Sequence, residues 1–253
     1  STYRQGCCKL EVYDWLAAFR HMVPESEYRA VIAPLLKRQP QTSRIVIDSA
    51  SHKFTRRKLI EYAQSRAVSR EVLEKYCEEV MYHVDSAPDR RFFAIGFKNN
   101  SGGYVLRSSI SKRCSSSDIT TLGPDGMMTL SASSDKVIVF EGFMDFLSWI
   151  TDVNQQTPQY DCCILNSVSN VAKALPWIME HSSIAAFMDN DQAGRETLQK
   201  IMDCASEGAH DVCVYDMATL YEGYNDLNEK LSDELSRKDQ SSINTKHHGT
   251  DTI

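Results

Sequence analysis

From residue 136 onward, short unbroken apolar runs alternate with stretches whose apolar positions recur every three or four residues. The pattern predicts strands at 137–140, 162–165, 184–188 and 212–215, with helices at 144–151, 168–181, 193–207 and 226–235. Strands apolar throughout, separated by helices, are those of a parallel sheet covered on both faces. The upstream pattern is less regular. Helical spacing at 11–22 and 25–37 flanks Pro24, and a β-branched run covers 44–48. Helices are expected at 55–66 and 69–76, the second opening on Ser69 with an imperfect S-x-x-[DE]-like cap. Strands follow at 80–84, 92–97 and 104–107, with Asn-Asn-Ser-Gly-Gly at 99–103 as a hairpin turn. Four parts result: an N-terminal helical segment (1–43), a smaller α+β subdomain (44–135), an α/β domain (136–238) and a polar, patternless tail (239–253) expected to be loose.

Composition narrows the class. A chain of 253 residues with 42% hydrophobic and 25% charged residues has room for real cores and excludes disordered, collagen-like and coiled-coil chains. It has no apolar run of membrane-spanning length and no signal-like start, so a soluble cytoplasmic protein without membrane contact is expected. Its first residue is Ser, which fits a piece of a longer chain. Its eight cysteines form no C-x-x-C pair and have no histidines at zinc spacing, so no zinc is expected in this chain. Cys162, Cys163 and Cys213 sit in strand-like runs and are expected to be buried reduced thiols.

The net charge of −6 conceals a division. Between residues 37 and 70, nine basic residues face two acids, and between 90 and 113 six basic residues face none. Between 189 and 234, twelve acids face three basic residues. A polyanion-binding half beside a half whose acids gather cations would give this distribution, as would ordinary solvated helix faces.

The acids also fall where chemistry is expected. In doubly wound sheets ligands collect beyond the carboxyl ends of strands. Glu141 follows the first strand, with Asp145 one helical turn on; Asp189 and Asp191 follow the third; Asp226 follows the fourth. Carboxylates that converge need compensating charge, and hard oxygen ligands without His or Cys favour one or two Mg²⁺ or Mn²⁺ ions. Such a pair would serve phosphoryl transfer. Taken singly, Asp191 and Asp226 are better explained as helix caps than as ligands. A G-x-x-x-x-G-K-[ST] loop, a G-x-G-x-x-G turn and a G-x-S-x-G elbow are all missing from the chain.

Val-Ile-Val-Phe-Glu-Gly-Phe-Met-Asp at 137–145 and Ile-Ala-Ala-Phe-Met-Asp-Asn-Asp-Gln-Ala-Gly at 184–194 resemble the Toprim domain of bacterial primases, topoisomerases and some nucleases. The resemblance implies Glu141 as the acid/base residue and Asp145, Asp189, Asp191 and Asp226 as metal ligands. Asn228 stands where the third acidic motif of primases has a second Asp. Upstream, residues 59–76 and 92–107 resemble the primase segment preceding Toprim, with Ala67 in place of a usual Gly, and the likeness spans about 55–236. Residues 165–171 are similar to short primase-like Toprim proteins of Bacteroides-type mobile elements. In such proteins a zinc module usually comes first, and residues 3–16 would be its trailing end.

The implied activity is a DNA primase-type nucleotidyltransferase making short RNA primers from ribonucleotides on single-stranded DNA, with a helicase or mobilisation protein as partner. A Toprim nuclease and a non-catalytic DNA-binding accessory of a mobile element are the alternatives. Arg56, Arg57, Lys58, Arg66, Arg107, Lys112 and Arg113 are the candidates for backbone contacts, with Tyr104 a stacking candidate. Asn166, Ser167 and Asn228 are candidates for phosphate or water contacts, Ser167 and Asn166 equally for loop caps.

Overall fold

The computed structural model describes residues 44–208 and 211–247. Two compact units divide the chain, 1–43 and 44–253. The first, with its expected helices and any zinc-module remnant, lies outside the described residues. Among the described residues, no helix is long and apolar enough to cross a membrane.

The second unit opens with β1 (Ile45–Ser51), α1 (Arg57–Ser65), α2 (Arg70–Tyr76), β2 (Cys77–Val84), β3 (Ala87–Lys98), β4 (Tyr104–Ser108) and β5 (Ser111–Cys114). Its five strands form one antiparallel sheet in chain order. Ser69 does cap α2, its hydroxyl accepting from Val72 N at 3.2 Å. The turn between β3 and β4 closes as its sequence implies. Asn99 N donates to Gly103 O at 2.9 Å, the Asn99 side chain accepts from Gly103 N, and Gly102 takes φ +78°.

The second sheet comprises β6 (Thr120–Leu122), β7 (Lys136–Phe140), β8 (Asp161–Ile164), β9 (Ser183–Phe187) and β10 (Cys213–Asp216), in the order β10-β9-β7-β8-β6. Its helices are α3 (Phe143–Asp152), α4 (Val171–Ile178), α5 (Gln192–Glu207) and α6 (Leu227–His247). Four strands are parallel, but β6 runs antiparallel to β8, so the sheet is mixed rather than wholly parallel. That strand lies within 44–135, so the boundary at 135/136 cuts through the second sheet. Residues 239–247, read as loose tail, continue α6 as a helix. No Pro or Gly interrupts them, and the Lys230–Glu234 and Asp233–Arg237 pairs brace the preceding turns.

Both faces of β7 are buried, Ile138 and Phe140 on one and Val137 and Val139 on the other. The first face belongs to a core shared with the antiparallel sheet. Phe97 of β3 stacks on Phe143 of α3 with centroids 5.0 Å apart, and Tyr76 meets Phe146 edge-on at 5.0 Å. Each such buried ring contributes about 1.5–3 kcal/mol, so the two sheets form one packed body. Across the first sheet, Val80, Tyr82, Ala94, Tyr104 and Leu106 form a separate cluster, and Gly96 is needed where a Cβ would strike Val80.

The six described cysteines are free. Cys162 and Cys163 are buried as expected, but Cys213, on the edge strand β10, is exposed.

Candidate functional site

The chain leaves β7 to form β8 on one side and β9 on the other, so order reverses at β7 and a crevice opens beyond the carboxyl ends of β7 and β9. Glu141 and Asp189 leave those two ends. The Glu141 amide continues the ladder to Phe187 O at 3.1 Å, and the Glu141 Oε2 accepts from Asp189 N at 3.1 Å. One bond from each backbone amide, the first to a carbonyl and the second to the Glu141 carboxylate, holds the two acids side by side.

Asp145 lies in the first turn of α3, 7% exposed, its Oδ1 accepting from Asn228 N at 3.0 Å. Asp191 caps α5 through Oδ1 and Gly194 N at 2.8 Å, and a Cβ on Gly194 would collide with the Asp189 backbone. Asp226 accepts from Glu229 N at 2.6 Å while Glu229 reaches back to Asn225 N at 2.7 Å, a reciprocal cap on α6. Both aspartates therefore do serve as caps. Asn190 joins the loops after β9 and β10 by donating to Tyr221 O at 3.2 Å and Tyr224 O at 2.9 Å.

The acids lie in one another's fields. Burial first, then the charges of Glu141, Asp226 and Asp191, push Asp189 up to about 7. Burial and then Asp226 push Asp145 up to about 8, against the Asn228 amide that favours its charged form. Burial raises Glu141 above its ordinary value, with Asp191 and Asp226 adding to the rise and the Asp189 amide and Lys112 opposing it. Lys112 comes from β5 of the other sheet, and its field also acts on Asp189. The crevice is thus acidic on the α/β side with one ammonium facing it from the antiparallel side.

Raised carboxyls mean that the folded chain binds more protons than the unfolded one between the ordinary carboxylate range, near pH 4, and about pH 8. Stability in chelator-treated buffer is therefore expected to fall as pH rises through that window, and Asp189→Asn to flatten the fall. Thermal melts at pH 5 and pH 8 measure it; equal slopes for the two proteins would refute the shared field.

The donor set suits Mg²⁺ or Mn²⁺ in kind. In placement it does not: among the described residues, no group of three or more His, Cys, Asp or Glu side chains could hold a metal ion. As placed, each of Glu141, Asp145, Asp191 and Asp226 has an oxygen held by a backbone amide.

The basic residues do not form one track. Arg56, Arg57 and Lys58 line a cavity of about 630 Å³ with Arg91, Phe92, Phe93 and the β4–β5 turn. Arg56 stacks 3.0 Å over the Phe93 ring, near Glu79 at 3.7 Å, and Arg57 pairs with Glu61 at 2.6 Å. Lys112 and Arg113 line a different cavity, about 210 Å³, with Ser116, Ser117 and Ser167. Arg107 stands opposite Lys112 across β4 and β5, its Nε buried without a partner. Arg66 closes α1 and lies in neither cavity. Tyr104 is 8% exposed with its hydroxyl donating to Glu78, which removes it as a stacking surface.

Three further candidates are tied into the fold. Asn166 is buried, and its Nδ2 donates to Asp118 O and Thr120 Oγ1 at 3.0 Å each, so it fastens a loop. Asn228, 1% exposed, directs its amide at Arg66 O. Ser167 caps the short 3-10 turn after β8, accepting from Ser169 N at 3.4 Å. Sequence reasoning missed Arg91, Phe92 and Phe93 as cavity lining and the field of Lys112 on the acids, since neither follows from spacing along the chain.

Residues 138–231 match a Toprim-like family model, and residues 48–116 match a domain of unknown function (DUF8464). No curated protein matches the chain. Among solved structures, the chain is similar to the primase fragment of the bacteriophage T7 primase-helicase protein, with TM-score 0.46, 17% identity, and 82% of this chain and 83% of that one covered. It is also similar to the Aquifex aeolicus primase (zinc binding and RNA polymerase domains), with TM-score 0.44, 15% identity, and 72% and 55% covered. The Toprim-like match covers most of the second sheet and its helices, which a small antiparallel-sheet subdomain precedes.

Proposed function

We propose that the chain is a primase-like nucleotidyltransferase that joins ribonucleotides on a single-stranded DNA template. The observation that carries this reading is the convergence of Glu141, Asp145, Asp189, Asp191 and Asp226 from three strand ends into one field, opposed by Lys112 from the neighbouring sheet. Glu141 is raised above its ordinary value by burial and leaves the end of β7 beside the crevice, a placement suited to a proton acceptor. In this reading the primer 3′-oxygen attacks the α-phosphorus, its proton passes to Glu141, and pyrophosphate leaves. Lys112, with Arg113 and Arg107 near it, meets the triphosphate. Arg56, Arg57 and Lys58 hold template backbone in the aromatic-lined cavity on the first sheet.

The Toprim resemblance carries an expectation of Mg²⁺ or Mn²⁺. The acids as placed do not close a ligand set, and the roles above belong to the chain's own residues. A helicase or mobilisation protein as partner, and a mobile-element context, belong to this proposal as well.

The test is primer synthesis from labelled ribonucleotides on a single-stranded template with divalent ions supplied. Strand cleavage without synthesis would replace the reading by a Toprim nuclease, and salt-sensitive DNA binding with neither activity by an accessory protein. Within the reading, Lys112→Ala removes one charge-assisted contact and is expected to raise the nucleotide KM by about ten- to a hundredfold. A nucleotide titration checks this; an unchanged KM would remove Lys112 from the phosphate path.

A further inference from the structure

Asn228 occupies a junction of three elements. It is the second residue of α6, and its backbone N–H donates to the Asp145 Oδ1 at 3.0 Å. Its Nδ2 donates to Arg66 O at 2.7 Å and meets Met144 O at 3.5 Å. Arg66 is the C-cap of α1 in the antiparallel subdomain, and the chain leaves it through Ala67 at φ +54°. Ser232 Oγ in turn bonds Asn228 O at 2.6 Å. The same two residues carry a buried donor and a buried acceptor without partners, Arg66 Nε and Asn228 Oδ1.

This geometry accounts for the residue type. The amide supplies a donor to the carbonyls of Arg66 and Met144, which an ionised carboxylate of the same shape does not. A carboxylate in its place would aim oxygen at oxygen, next to Asp145, in a site that is 1% exposed. The asparagine is therefore not a neutralised ligand position.

We infer that Asn228 is a positioning residue: it clasps the end of α1 to the starts of α3 and α6, and so sets the antiparallel subdomain in register with the acidic crevice. The inference rests on the nucleotidyltransferase reading for its kinetic consequence and on the hydrogen bonds alone for its structural one. Through Asp145 it fixes one wall of the crevice, and through Arg66 it fixes the subdomain that carries Lys112 and the template-facing arginines.

The test compares the full chain with Asn228→Asp and Asn228→Ala. Both are expected to lose hydrogen-exchange protection at 64–68 and at 142–147, in separate elements far apart in sequence. In primer synthesis both are expected to lower kcat, Asn228→Asp by on the order of a hundredfold, with the nucleotide KM within twofold. Asn228→Ala keeps the backbone bond to Asp145 and provides the measurement if Asn228→Asp fails to fold. Exchange changes confined to 226–232, or an Asn228→Asp variant more active than the parent, would overturn the inference. If the parent makes no primers yet the exchange pattern appears, the clasp stands and the functional reading falls.

Discussion

Glu141→Gln is expected to lower template-directed nucleotide incorporation by about 10²–10⁴-fold, the usual span for losing a positioned general base. The substitution is nearly isosteric. A glutamine oxygen can still accept from Asp189 N, the bond that now holds Glu141 Oε2 at 3.1 Å, so the loop after β9 keeps its anchor. What is lost is the ability to take a proton. Removing one negative charge also lowers the repulsion that raises Asp189, so the variant should be at least as stable as the parent above pH 7. An inactive but stable variant is thus the expected pair of results, read by primer extension and thermal melting. Undiminished incorporation would take the proton-acceptor role away from Glu141.

The second large effect lies at the other end of the parallel strands. His181 and Asp161 are both fully buried, with Nε2 and Oδ2 3.0 Å apart. The other ring nitrogen faces Ile178 O at 3.1 Å, and Asp161 Oδ2 also accepts from Ser133 N and Ser134 N at 2.6 and 3.0 Å. Asp161 opens β8, so this network pins the approach to β7 against α4, away from the crevice. Removing the imidazole leaves a fully buried carboxyl with only the two serine amides to hold it. His181→Ala is expected to cost about 3–5 kcal/mol. For a folded unit of this size that is a drop of roughly 6–20 °C in Tm. A melt shifted by less than 2 °C would show that the pair contributes little to stability.

How much of this was legible in the sequence depended on whether the signal was local. Residues 137–140, 162–165 and 184–188 read as strands because buried parallel strands are apolar throughout, and Glu141 and Asp189 could be placed because they immediately follow. Ser111–Cys114 and Thr120–Leu122 gave no strand signal. The first is polar and exposed, the second three residues long, and each is a strand only because a neighbour pairs with it. The final helix was read to 235 because apolar periodicity stops there, although charges four apart continued to report helix. The helix caps of Asp191 and Asp226 were visible as spacing. That Asn228 faces a carbonyl more than 160 positions upstream was not, because no local pattern records which oxygen a buried amide will meet.

The short strand β6 bears on how this protein can be taken apart. It is contributed from upstream of the acidic half yet hydrogen-bonds to β8 along the rim of the second sheet. An expression fragment starting at Lys136, where the composition changes, would strip that rim and lay bare the backbone of a strand reading Asp-Cys-Cys-Ile. Such a fragment invites intermolecular strand pairing and precipitation, whereas a cut ahead of Thr120 leaves the rim covered.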